Sequence, residues 1–415
     1  RFTPALFAHA EAAMKAILTF EHPADGALSY YFRNHRELGH ADRGFVAEAC
    51  FSTLRRLRSL SARCPDDQPR KLLLASMFCL RGWNLKQMAP VLNDTDAEWL
   101  SAAKAMPVDS WPLAVRLDLP DWLFERLSAK YPLDIEALAT ALNRPAPLDL
   151  RINPMKVTRE AVLQRLAADG MPGTACVHSP LGIRLEEKPA LSRHPLFLDG
   201  SIEVQDEGSQ LLGYLVAPKR GEMVVDFCAG AGGKTLLLGA LMRSAGRLYA
   251  FDVSEKRLAN LKPRLARSGL SNVHPVRIES ENDIKVKRLA GKLDRVLVDA
   301  PCSGLGTLRR NPDLKWRQSP ESVTELTQKQ HDILTAAARL VKSGGRLVYA
   351  TCSLLAEENE DVVSAFLAAH PDFVPLNAAE ILSRQGINVG DEAALRLLPH
   401  VHGSDGFFAM AMERK

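Results

Sequence analysis

Two cysteines stand where a thiolate could act as a nucleophile. Cys302 follows Asp299-Ala300-Pro301 and precedes Ser303-Gly304, while Cys352 lies in the run Tyr349-Ala350-Thr351-Cys352-Ser353. A free cysteine packs as a small hydrophobe, so a lone one ending a buried strand is more often inert core than nucleophile. Here two end neighbouring expected strands, each flanked by small hydroxyl or glycine residues, and that convergence points to chemistry. A thiolate attacks strongly and can later be expelled, so one suffices for covalent addition to an electron-poor carbon and a second can assist release. The other five cysteines, at 50, 64, 79, 176 and 228, are scattered with no CxxC spacing. That distribution excludes a disulfide framework and a zinc knuckle, predicts no metal, and fits reduced thiols in a cytoplasm.

A glycine loop, Cys228-Ala229-Gly230-Ala231-Gly232-Gly233-Lys234-Thr235, follows an expected strand. Glycines there permit positive φ and let a ligand approach the backbone. A dinucleotide fingerprint needs a third glycine where Thr235 stands. A phosphate loop matches Gly233-Lys234-Thr235, but its first glycine falls on Cys228. S-adenosylmethionine asks less of the loop and wants an acidic residue at the next strand end for its ribose, which Asp252 supplies. On its own Asp252 could equally be a turn carboxylate, and Cys228 reads as packing beneath the loop or lining the cofactor site.

A methyl donor and two thiols together suggest one reaction. Cytosine C5 is too weak a nucleophile to attack a methyl sulfonium until a thiolate has added at C6 and turned C5 into an enamine carbon. After methylation a base removes the C5 proton and the thiol leaves. The target base must be unstacked, because neither C5 nor C6 is open to attack within an intact stack. Residue chemistry alone leaves open which cysteine attacks.

The elements that must position these groups follow from pattern. Expected strands at Met223 to Cys228, Arg247 to Asp252, Val273 to Ile278, Arg295 to Asp299 and Arg346 to Cys352 alternate with helices, one opened by Ser319 and Pro320. This is an α/β, doubly wound Rossmann-like sheet with ligands at the carboxyl ends of its strands, assigned to residues 206–415. Residues 1–145 read as all helical, with Val46, Cys50, Leu54, Leu57 and Leu60 on one face and Arg55, Arg56 and Arg58 elsewhere. Pro65-Asp66-Asp67 and Pro107 punctuate those helices. Asn143 to Pro147 is a rigid connector. Beyond it residues 146–205 form a small α+β, RRM-like module, with strands at Leu148 to Ile152, Ile183 to Leu185 and Ile202 to Val204 and a helix at Thr158 to Asp169.

Bulk properties add bounds. The 415 residues exceed one usual domain. Hydrophobic residues make up 46% and charged residues 25%, and no apolar run approaches the ~18 to 20 residues of a membrane span. A net charge of +4 and a pI of about 8.6 are compatible with a polyanion without requiring one. The opening at Arg1, without methionine or a signal-like stretch, is expected of a trimmed terminus with no targeting signal.

The chain resembles the Fmu/Sun family of RNA 5-methylcytosine methyltransferases, most closely the RsmB branch that acts on small-subunit ribosomal RNA. The resemblance spans nearly the whole chain. It is most specific at Val204-Gln205-Asp206, Asp226 to Thr235, Asp299 to Trp316, Tyr349 to Asn359 and His402 to Phe408. It implies that Cys352 is the nucleophile and that Cys302 helps release the product. It also implies that Lys234 and Asp299 face the cytosine, and that Cys228, Ala229, Gly230, Ala231, Gly232, Gly233, Lys234, Asp252 and Asp299 hold S-adenosylmethionine. Asp283 is the position for the adenine, on a looser local match. One departure is that the family loop reads Ala-Pro-Gly-Gly-Lys where this chain has Gly230-Ala231, and losing the proline predicts a less rigid loop. Tyr31 to Gly39 with Asp42-Arg43-Gly44 is similar to the helical fold of the antitermination factor NusB, an RNA binder. Arg33, Arg36, Arg43, Arg55, Arg56 and Arg58 could then neutralise phosphates, or simply form solvated helix faces. Arg309, Arg310, Lys315 and Trp316 could grip the strand beside the flipped base, or fold their loop. The implied partner is ribosomal RNA, with transfer RNA the alternative, and the implied state a monomer. An RNA-binding factor without activity and a P-loop nucleotidase are the rivals; intact Cys302, Cys352, Asp299 and Lys234 argue against the first.

Overall fold

The structure, a computed structural model, describes residues 2–64, 66–390 and 392–415. Arg1, Asp391 and Pro65, where the sequence leads one to expect a turn, lie outside them. The chain forms two compact units, one of residues 1–145 with 307–320 and one of residues 146–306 with 321–415.

The first unit is helical, as its periodicity requires. Helices Pro4–Ile17, His40–Arg55, Leu57–Arg63 and Pro69–Ala75 enclose Met14, Ile17, Val46, Cys50, Leu54, Leu60 and Leu72. Burying each large apolar side chain contributes roughly 1.5–3 kcal/mol before the entropy of ordering it. The expected continuous face from Val46 to Leu60 is broken at Arg56, where φ is −116°. There the buried Asp118 accepts from the Arg56 side chain, from Ser59 N at 2.7 Å and from Ser59 Oγ. Residues 307–320 pack with this helical unit. The helix ending at Arg55 leaves carbonyls without intrahelical partners. Trp316 Nε1 donates to Leu54 O at 2.8 Å, and Lys315 Nζ donates to Arg55 O at 2.8 Å and to Asn143 Oδ1 at 2.7 Å.

The second unit contains two sheets. Strands β1 (Leu148–Ile152), β2 (Gly173–Ala175), β3 (Gly182–Leu185) and β4 (Ile202–Val204) pair antiparallel in the order β2-β3-β1-β4. Helix Arg159–Ala168, capped by Thr158 Oγ1, packs Val162 and Leu166 on one face of this sheet against Leu150, Ile152, Ile183 and Ile202. The other face is polar yet closed. Asp149 takes a two-pronged bond from Arg184 at 2.8 and 3.0 Å and one from Glu207 N, while Glu203 pairs with Arg264 and Arg267.

Strands β5 (Met223–Asp226), β6 (Arg247–Asp252), β7 (Val273–Arg277), β8 (Leu293–Asp299), β9 (Val341–Thr351), β10 (Phe373–Pro375), β11 (Leu395–Leu397) and β12 (Phe407–Arg414) make an eight-stranded sheet. Its path is β10-β12-β9-β8-β5-β6-β7, with β11 beside β12. Strands β5 to β9 pair in parallel, and β12 runs antiparallel to β9 and β10. The order reverses at β5, flanked by β6 and β8, so the crevice for a ligand opens at the carboxyl ends of these strands. The sequence reading places no strand after Cys352. It misses β10, β11 and β12; β10 and β11 are three residues each, too short to show a period along the chain.

Candidate active site

Four strand ends meet in this crevice: Asp226 closes β5, Asp252 β6, Asp299 β8 and Thr351 β9. Parallel pairing of β8 with β9 sets Asp299 opposite Ala350, and the loops that follow bring the two cysteines together. Their sulfurs lie 3.4 Å apart, both half-buried and both free thiols. The hydrogen bond with Cys352, then burial, then the nearby Glu358 carboxylate push the Cys302 thiol well up.

Lys234 enters from the first turn of helix Gly233–Leu241 and places Nζ 2.7 Å from Asp299 Oδ2. Burial alone would pull its ammonium down, but Asp299, with Asp226 and Cys352, outweighs that and holds it above the ordinary lysine value. Asp226 is fully enclosed. Burial dominates and pushes its carboxyl up to about 7, with Asp299 and Asp252 adding to the rise and a 2.7 Å bond from Thr235 Oγ1 opposing it. Cys228 packs against the apolar core under the loop, and burial followed by the three carboxylates Asp299, Asp226 and Asp252 raises its thiol strongly.

The glycine loop is held from both sides. Gly230 N donates to Asp252 Oδ2 at 2.8 Å, while Asp252 Oδ1 accepts from Ser254 N. Gly232 has φ +88°, and a Cβ there would lie 2.1 Å from Leu261 Cδ1, so this position demands glycine. The looseness expected from the missing proline is offset by Arg264, whose guanidinium donates to Ala231 O at 2.8 Å while anchored on Glu203.

The donor set fits a methyl sulfonium nucleoside better than a nucleoside triphosphate. Asp226, Asp252 and Asp299 surround the loop, and the cations near it are engaged: Lys234 with Asp299, Arg264 with Ala231 O and Glu203, and Arg257 at 3.8 Å from Asp252. A triphosphate would meet repulsion there, whereas a sulfonium cation would not. Two buried side-chain oxygens near the loop, Asp226 Oδ1 and Gln205 Oε1, have no hydrogen-bond partner among the described residues. Gln205 abuts Gly233, its Nε2 3.5 Å from where a Cβ would be. From sequence Asp226 is among the strand ends expected to carry the chemistry but has no individual role, and Gln205 is named only within a stretch that carries the family resemblance.

Other expected site residues fare unequally. Asp283 follows β7 and caps helix Ile284–Lys287, accepting from Glu279 N at 2.7 Å and Lys285 N at 2.9 Å. Its oxygens make no hydrogen bond to the glycine loop among the described residues. Arg33 and Arg36 are exposed, as phosphate contacts need to be. Lys315 is a correction: it is 1% exposed, its ammonium serves Arg55 O and Asn143 Oδ1, and burial pulls it down to about 7. Arg309 is buried as well; Arg310 is half-buried. Arg55 donates to Arg309 O, Arg56 pairs with Asp118, and Arg58 bonds Leu119 O and pairs with Asp121. These basic groups hold the helical unit together.

Sequence reasoning assigned no role to Glu358 and Asn359. Asn359 Nδ2 donates to Ser353 O at 2.9 Å, and its Oδ1 accepts from Thr351 Oγ1. Glu358 is fully buried and bonds the serines that follow both reactive cysteines. The tail takes part through Gly406, whose N–H donates to Gly306 O while Gly306 N donates to Cys352 O, each at 2.8 Å.

Comparisons with known proteins point to one family. A sequence model of the family described as 16S rRNA methyltransferase RsmB/F matches residues 213–413, and one described as the ferredoxin-like domain of RsmF/B-like methyltransferases matches residues 119–192. The probable ribosomal RNA small subunit methyltransferase B of Synechocystis is 39% identical over 94% of this chain and 95% of its own length. That of Bacillus subtilis is 33% identical over 78% and 73%. The crystal structure of PH0851 matches with a TM-score of 0.82 at 25% identity, covering 100% of this chain and 99% of the other. A methyltransferase homolog from Pyrococcus horikoshii gives 0.63 at 30% identity, over 73% and 97%.

Proposed function

The chain belongs to the RsmB/F family of 16S ribosomal RNA methyltransferases, and from that premise we propose that it methylates C5 of a cytosine through a covalent bond between Cys352 and C6. The observation that carries the reading is the pair of thiols 3.4 Å apart, beside the Lys234–Asp299 ion pair and next to a glycine loop ringed by carboxylates.

Residues 228–234 with Asp252 would hold S-adenosylmethionine, which would supply an electrophilic methyl group and leave as S-adenosylhomocysteine. Cys352 Sγ forms the bond to C6 and electron density moves to C5. C5 takes the methyl group, a base removes the C5 proton, and the ring expels the Cys352 thiolate with help from Cys302. Lys234 and Asp299 hold the edge of the unstacked cytosine. The order of the cysteines is the one the family resemblance implies.

Recognition of RNA falls to exposed basic residues of the helical unit, Arg33 and Arg36 first, in a NusB-like role. The seven free cysteines suit a reducing cytoplasm. The test is an adduct assay on a denaturing gel with 16S ribosomal RNA and S-adenosylmethionine. Cys302→Ala should trap a protein–RNA species and Cys352→Ala should form none. The reverse pattern exchanges the two roles, and no adduct from either variant sinks the covalent route.

A further inference from the structure

Glu358 is a buried carboxylate with no cation paired to it among the described residues, and its bonds come instead from neutral donors. Oε1 accepts from Ser303 N at 2.8 Å and from Gln330 Nε2 at 3.2 Å. Oε2 accepts from Ser303 Oγ at 2.6 Å and from Ser353 Oγ. Ser303 directly follows Cys302 and Ser353 directly follows Cys352. Gln330, from helix Pro320–Ala338, also donates to Pro301 O at 3.0 Å, so Cys302 is bracketed on both sides. The backbone of Glu358 is fixed in turn, its carbonyl accepting from Tyr349 Oη on β9.

We propose that Glu358 is a positioning residue that clamps the loops after β8 and β9 together and so sets the separation of the two reactive sulfurs. A charged group fits this post better than an amide, because a carboxylate accepts on both oxygens, and hydrogen bonds to a charged acceptor are about twice as strong as neutral ones. Burying a carboxylate without a counter-ion is costly unless its lone pairs are filled, and here they are filled by the groups that need to be held. The consequence for turnover rests on the covalent thiol reading above, whereas the geometric claim does not.

A cross-linking ruler separates the two. Oxidised glutathione converts neighbouring thiols to a disulfide in two exchanges: one thiolate displaces glutathione to give a mixed disulfide, and the second displaces another. In the full chain Cys302 and Cys352 should cross-link readily, read by peptide mass spectrometry. Glu358→Ala should slow that cross-link and lower kcat about 100-fold, the scale of a 1 Å misplacement, with KM for S-adenosylmethionine unchanged. Glu358→Gln keeps the volume and two of the acceptor bonds and should recover most of both, within roughly tenfold of wild type. Should Glu358→Ala fail to fold, Ser353→Ala removes one arm of the clamp and must show an intermediate loss of cross-linking. Wild-type cross-linking in Glu358→Ala, or in Ser353→Ala where the first cannot be folded, overturns the proposal whatever happens to turnover. Absence of the cross-link in the wild-type chain overturns it too. Failure of the covalent reading shows separately, as no RNA adduct in Cys302→Ala while cross-linking still depends on Glu358.

Discussion

Gly306→Ala tests how the thiol site is assembled from three chain segments. A Cβ at 306 would lie 2.2 Å from the Gly406 carbonyl oxygen and 2.7 Å from that of Cys352. Carbon–oxygen contacts in proteins seldom close below about 3.3 Å, so the worse overlap is about 1 Å. Both obstacles are backbone, and no side chain can swing aside. What must yield is the crossing itself, with its two 2.8 Å bonds from Gly306 N to Cys352 O and from Gly406 N to Gly306 O. Losing both costs about 2 kcal/mol, and forcing a methyl group into a packed site adds about 1–3 kcal/mol. For a unit of this size the sum corresponds to a fall in Tm of about 10 °C. If the chain escapes by shifting the end of β9 instead, Cys352 moves by about 1 Å and turnover falls about 100-fold. Thermal melts by near-ultraviolet circular dichroism and single-turnover transfer of a labelled methyl group to 16S ribosomal RNA read the two outcomes. Wild-type Tm together with wild-type turnover would refute the reasoning.

Asp226 should leave a mark on stability against pH. Its folded value of about 7 lies above the unfolded carboxylate value, so its contribution is fully present below about pH 3.9 and is lost as pH rises to 7. Asp226→Asn, which does not titrate, should therefore gain on the wild-type protein between pH 4 and 7 in urea unfolding; a constant difference across that range contradicts the assignment. Lys315→Met should lower the Tm of the helical unit by removing donors from Arg55 O and Asn143 Oδ1, yet leave the salt dependence of RNA binding unchanged. Arg33→Ala and Arg36→Ala should each reduce that slope by about one while stability stays put. A smaller slope for Lys315→Met, measured by filter binding across salt concentrations, would restore it as an RNA contact.

Much of this protein was legible because its chemistry sits at strand ends. Periodicity placed β5, β6, β8 and β9, and a parallel sheet necessarily delivers Asp226, Asp252, Asp299 and the cysteine loops to one edge. The type and spacing of Cys302, Cys352, Lys234 and the glycines therefore sufficed to propose a thiol site beside a nucleoside site. Lys315 was less legible, for the opposite reason. It looks solvated in sequence because charge usually seeks water, but it is buried where helix His40–Arg55 needs a donor for its last carbonyl.

The sequence by itself determined which groups are present and which edge of the sheet they occupy, since local pattern and parallel topology are enough for that. Tertiary structure alone decided their separation: the 3.4 Å between sulfurs, the commitment of Lys234 to Asp299, and the clamp of Glu358 on Ser303 and Ser353. The pairings of Cys302 with Cys352, Lys234 with Asp299 and Ser303 with Glu358 join residues fifty or more positions apart, and no short window along the chain contains both partners.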